Sequence, residues 1–154
     1  MKTLIIYHSR FGGTEECARR LAARIGSGAR IQTLAQTTSA SLDEAEAVIL
    51  GASVDKGRLV RPMASFLSEH PDLGSRQALG LFLCHGESDG RALLRSCYPA
   101  ALLSRVRAAE AVGGRLDLDK VPRLLRHILG WIGVKESYDR IDDAALTRLA
   151  EAFK

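Results

Sequence analysis

Five short segments of the chain are apolar at consecutive positions, and the stretches between them are apolar only at every third or fourth residue. Leu4 to Tyr7, Ala47 to Ala52 and Gln77 to Cys84 are the dense runs; Ala29 to Leu34 and Glu110 to Gly114 are more mixed. Dense runs of this length fit strands covered on both faces, because a strand with one wet face would alternate. The intervening pattern is helical. Cys17, Leu21 and Ile25 recur every four residues; Met63, Phe66 and Leu67 follow Pro62, which suits a first helical turn; Leu146, Leu149, Ala150 and Phe153 follow Asp142-Asp143. Asp89 starts a further helix that Pro99 interrupts, whereas 36–41, rich in Thr and Ser, reads as a solvated connection. Strand and helix therefore alternate along the chain, which predicts an α/β fold with a parallel sheet and helices on both of its faces.

With 154 residues, 46% of them hydrophobic and 26% charged, the chain has the length and balance of a single domain spanning 1–154 with a full core. A strand begins within two residues of the start without signal-peptide architecture, so the expected location is the cytoplasm. Cys17, Cys84 and Cys97 are odd in number and lack metal-ligand spacing, which argues for reduced thiols and against a zinc site. Cys84 and His85 are neighbours on a strand and point to opposite faces, so they do not make a nucleophile and its base.

The chemistry is concentrated where the first strand ends. Leu4-Ile5-Ile6-Tyr7 passes through His8-Ser9-Arg10-Phe11-Gly12-Gly13-Thr14 directly into helical periodicity. Adjacent glycines let a ligand approach the main chain, and the unpaired amides of a helix's first turn, at the positive end of its dipole, favour an anion such as phosphate. Ser9 and Thr14 place a hydroxyl on each side of the loop. No Lys follows Gly13, which excludes a P-loop nucleotidase, and Gly-x-Gly-x-x-Gly is absent, which excludes the dinucleotide fingerprint. Two more loops leave strand ends on the same side of such a sheet: Ala52-Ser53-Val54-Asp55-Lys56-Gly57 and His85-Gly86-Glu87. Ligands of doubly wound sheets sit at that edge.

Ser9-Arg10-Phe11-Gly12-Gly13-Thr14 resembles the flavodoxin phosphate loop, departing from it at Phe11, where the family has a second hydroxyl. Gly51-Ala52-Ser53 is similar to the flavodoxin loop that covers one face of the flavin ring, although without that loop's aromatic residue. The resemblance implies a five-stranded parallel sheet in the order 2-1-3-4-5 and FMN as cofactor. Its phosphate would lie on Ser9, Arg10, Phe11, Gly12, Gly13 and Thr14, and its ring between the segment from Ala52 to Gly57 and that of His85, Gly86 and Glu87. It further implies electron transfer to a redox partner protein. A response-regulator receiver shares the strand order but needs acids after the first strand, where Tyr7-His8-Ser9 has none.

One element exceeds this plan. Val121, Leu124, Leu125, Ile128, Leu129 and Ile132 form an amphipathic stripe before the C-terminal helix, and residues 120 to 135 hold Lys120, Arg123, Arg126, Lys135 and Trp131 with no acid. Such an insertion resembles the flavodoxin-type, quinone-dependent protoporphyrinogen oxidases, which implies a quinone or porphyrin-type substrate and work at the inner membrane face. A basic helix carrying Trp fits an anionic membrane surface or a docking partner; a helix packed on the domain with a solvated basic side is the plainer reading. Net charge is +4, which favours acidic partners, while 5% aromatics and the lack of a nucleic-acid motif rank nucleic acid last. Three classes stay open: an FMN-dependent oxidoreductase, an electron carrier, and a flavin-free flavodoxin-like domain acting as a binding module.

Overall fold

A computed structural model describes residues 1–86 and 88–154; Glu87 of the predicted site lies outside the described residues. The apolar runs become the parallel strands β1 (Thr3–Tyr7), β2 (Ala29–Thr33), β3 (Ala47–Asp55), β5 (Ala78–Cys84) and β6 (Val106–Leu116). Between and after them lie α1 (Gly13–Ile25), α2 (Ser39–Asp43), the two-residue strand β4 (Arg58–Leu59), α3 (Arg61–Glu69), α4 (Gly90–Cys97) and α5 (Ala100–Leu103). The chain closes with α6 (Arg123–Trp131), β7 (Tyr138–Ile141) and α7 (Asp143–Glu151). The sheet runs β2-β1-β3-β5-β6-β7, so its five parallel members have the expected order 2-1-3-4-5.

Alternation along the central strands splits the core into two layers. Leu4 and Ile6 join Val48, Leu50, Leu79, Leu81 and Leu83 under α2, α3, α4 and α5. Ile5 and Tyr7 face the opposite way, with Ile49 and Phe82, under α1 and α7. The caps are local: the Asp89 carboxylate accepts from the Ala92 amide at 3.0 Å and starts α4, and Asp142 does the same for Ala145 at 3.0 Å and starts α7.

Three features depart from the sequence expectation. The connection over 36–41 closes with the first residues of α2, capped by Thr38, whose hydroxyl accepts from the Ser41 amide at 3.1 Å. The stretch from Ser53 to Arg58 continues β3 and turns back as a hairpin. Lys56 and Gly57 both have positive φ there, 52° and 75°, as a tight two-residue turn requires, and Asp55 pairs with Arg58. Finally, β7 adds an antiparallel edge against residues 113–116 of a β6 that is longer than the run from Glu110 to Gly114. Its end is tied to α1 by Arg20, which donates to Glu16 at 2.9 Å, Asp139 at 2.7 Å and Asp143 at 3.2 Å.

At Gly51, in the middle of β3, the fully buried ring of Phe82 fills the space a Cβ would need. Gly51→Ala is expected to lower stability by roughly 1–3 kcal/mol, since the ring must shift in a closed layer. Urea denaturation measures this, and Phe82→Leu in the same chain should restore part of the loss; an unchanged midpoint for Gly51→Ala would contradict the packing described.

Candidate functional site

The carboxyl ends of β1, β3 and β5 open onto one cleft of about 450 Å3, within the size range of small-molecule sites. It lies where the connections from β1 and β3 leave the sheet toward opposite faces, α1 joining one core layer and α3 the other.

One end of the cleft is the loop from His8 to Thr14. Gly12 has φ of 90°, the left-handed region that a β-carbon disfavours, and immediately precedes α1. A Cβ on Gly13 would land on the carbonyl oxygen of Arg115, so only glycine lets the start of α1 lie against β6. The Ser9 hydroxyl accepts from the Gly12 amide at 3.0 Å, closing the loop into a turn. That amide is therefore engaged within the loop, which narrows the expected anion cradle to the first-turn amides of α1. Thr14 is nearly buried yet lines the cleft.

The charges around this loop are arranged by sign. Glu15 and Glu16 in the first turn would repel an anion, but Arg19 and Arg20 hold them one turn further on, and Arg115 lies 3.6 Å from Glu16. Lys120, from the short turn at Leu118–Lys120, brings its ammonium to 3.1 Å from the place where a Gly12 Cβ would be. With Asp117 and Gly12 it lines a second depression that shares Phe11 and Arg115 with the cleft. The Arg10 guanidinium covers the Phe11 ring, 4.9 Å from its centroid.

The remainder of the cleft is walled by Ser53, Val54, Asp55, Val60, Cys84, His85, Gly86, Leu116 and Tyr138, among others. Of the predicted residues, Ser9, Arg10, Phe11, Gly13, Thr14, Ser53, Val54, Asp55, His85 and Gly86 thus come together. Gly12 lines the neighbouring depression, Ala52 is fully buried in the core layer under α3, and Lys56 and Gly57 form the hairpin turn away from the cleft wall. The His85 ring lies against Gly90 at the start of α4, and its amide donates to the Gly113 carbonyl at 2.8 Å.

Of the lining residues that escaped the sequence reading, Val60, Cys84 and Leu116 among them, His8 and Tyr138 bear most on the chemistry. His8 continues β1 past its last paired residue; its Nδ1 is buried with no hydrogen-bond partner among the described residues, and burial lowers its pKa from the ordinary histidine value. Tyr138 is half-buried at the start of β7, opposite Leu116, with the Arg140 guanidinium 4.8 Å from its ring centroid. Ser137-Tyr138-Asp139-Arg140-Ile141 has its apolar side chains three positions apart, so no alternation with a period of two marked it as an edge strand. Beneath the cleft, the Cys84 and Cys17 sulfurs are 3.5 Å apart in the core, and their contact together with burial pushes the Cys17 thiol well up. Both are packing groups rather than nucleophiles. Among the described residues no group of His, Cys, Asp and Glu is placed to hold a metal ion.

No curated protein matches the sequence. Solved structures do. The flavodoxin of Megasphaera elsdenii, determined in its two-electron reduced state, superposes with a TM-score of 0.62 at 17% identity, over 98% of this chain and 97% of that one. The FMN-bound flavodoxin of Fusobacterium nucleatum gives 0.52 at 15% identity over 71% and 70%. Rubredoxin oxygen:oxidoreductase from Desulfovibrio gigas gives 0.63 at 20% identity over 98% of this chain, which spans only 34% of that larger protein. At these identities the likeness speaks to the fold. The flavodoxin-domain family model, however, matches the sequence itself over residues 4–142, and the chain belongs to the flavodoxin family.

Proposed function

We propose that this chain binds FMN in the cleft above β1, β3 and β5 and exchanges electrons with a redox partner protein. The observation that carries the reading is one cleft that joins an anion cradle, the first turn of α1 with Ser9 and Thr14, to a chamber large enough for an aromatic ring system. The residues present fit that group. Amides of the first turn and the Thr14 hydroxyl would hold the phosphate, Lys120 would add a positive charge beside it, and Val54, Asp55, His85, Gly86 and Tyr138 would enclose the ring. When bound, the flavin supplies the electron transfer, and the protein tunes it through hydrogen bonds and nearby charge.

The chain's own contributions are positional. Glu15 and Glu16 are drawn toward Arg19 and Arg20, which weakens their repulsion of an incoming phosphate. Tyr138 offers the aromatic face that the hairpin at 53–58 lacks, and this favours a flavin site over a flavin-free module. A quinone or a porphyrinogen as the second substrate, handled at the membrane surface, is the narrower form of the reading; the apolar, basic α6 favours it.

Four binding outcomes test the proposal. Adding FMN to flavin-free protein should produce a bound flavin visible spectrum and quench flavin fluorescence stoichiometrically; protein that leaves both unchanged at saturating FMN would reject the reading. Thr14→Val should weaken FMN by about tenfold or more while changing riboflavin little, because a hydrogen bond to a charged group is lost only when the phosphate is there. Lys120→Met should weaken FMN selectively as well and flatten the salt dependence of its affinity. Tyr138→Ala should instead weaken FMN and riboflavin alike, by fluorescence titration, since the ring is common to both. Turnover of a quinone by the reduced, FMN-loaded protein separates the narrower reading from a carrier that reduces only proteins.

A further inference from the structure

The apolar stripe of α6 consists of two neighbouring rows, and the domain covers one of them. Val121 is buried just before the helix, and Leu125 and Leu129, one and two turns further on, are half-buried. Leu124, Ile128, Trp131 and Ile132 form the second row at offsets 0, 4, 7 and 8, with 76%, 53%, 92% and 72% of their surfaces exposed. These are four of the five large hydrophobic side chains exposed among the described residues, and all four lie on one face. The stripe is therefore not explained by packing on the domain.

Charge surrounds this face with one sign. Residues 120 to 135 carry four Lys or Arg and no acid, and among the described residues none of these four is in an ion pair. Arg126 turns back to donate to the Val121 carbonyl at 3.3 Å, which leaves Arg123 and Lys135 at the two ends of the exposed row. The row is convex and short. Nine residues make a helix about 14 Å long, and its one face is far smaller than the roughly 800 Å2 per partner of a stable protein interface. Among the described residues no helix is long and apolar enough to cross a membrane.

We propose that α6 lies on an anionic lipid surface, with Leu124, Ile128, Trp131 and Ile132 among the acyl chains and Arg123 and Lys135 against the headgroups. Apolar insertion and attraction to anionic lipid act together in such helices, and an indole is suited to the interfacial depth. The proposal does not depend on flavin, so protein with and without FMN should give the same result. Its failure would leave the flavin reading untouched.

Trp131 is the only tryptophan of the chain, so its fluorescence reports on α6 alone. With vesicles of equimolar phosphatidylglycerol and phosphatidylcholine its emission should shift to the blue, acrylamide quenching should fall, and the protein should float with the vesicles. Pure phosphatidylcholine should bind much more weakly, and added salt should release the protein. Arg123→Glu with Lys135→Glu should lower binding to the mixed vesicles by about tenfold or more. Leu124→Ser with Ile128→Ser should abolish the shift with the far-ultraviolet dichroism unchanged, since both side chains are exposed already. Absence of any shift, or equal binding to neutral vesicles, would overturn the proposal. So would an emission already blue without lipid that reverts on dilution, which would assign the face to a second copy, and a shift produced by polyglutamate but not by vesicles, which would assign it to an acidic protein.

Discussion

The proposed flavin site depends on how closely the start of α1 can approach the sheet. Gly12 turns the backbone through the left-handed region, and Gly13 brings the first helical turn against the Arg115 carbonyl with no room for a side chain. The unpaired amides of that turn are thereby fixed beside the end of β1, where the sheet's connections diverge. A β-carbon at position 13 would push α1 away from β6, and the proposed anion cradle and the packing of Cys17 and Leu21 of α1 would be lost together.

The sheet behind the cleft exists because its central strands are sealed on both faces. Ile5, Ile6, Ile49, Leu50, Leu81 and Phe82 are fully buried, and they alternate between the two layers. That sealing also made the fold legible in the sequence: a strand without a wet face has no polar alternation, so Leu4 to Tyr7, Ala47 to Ala52 and Gln77 to Cys84 stood out. Their order came through the likeness of two loops to flavodoxins, and the family match over 4–142 agrees.

What stayed hidden has physical reasons. Tyr138-Asp139-Arg140-Ile141 is four residues long and half covered only at its two ends, so it carries no strand-like alternation that would distinguish it from a polar connection. With it went Tyr138, the aromatic side chain of the cleft that arrives from a part of the chain distant from the loop motifs. Ser53-Val54-Asp55 looked like a loop because Ser53 and Asp55 are polar and Lys56-Gly57 follows, whereas backbone pairing across that turn keeps it a strand. The stripe on α6 was plain in the sequence, but periodicity cannot say which of two apolar rows meets the domain; only the burial of Val121 and the exposure of Trp131 decide it.

The account stands on main-chain amides of Gly13, Thr14 and Glu15 holding a phosphate. Proton–nitrogen correlation spectra of labelled protein recorded with FMN and with riboflavin test it at those atoms. The account predicts large downfield shifts of these three amides with FMN and much smaller ones with riboflavin, whereas ring-side residues such as Val54 and Gly86 shift with both. Unmoved amides at 13 to 15 in FMN-saturated protein would contradict it.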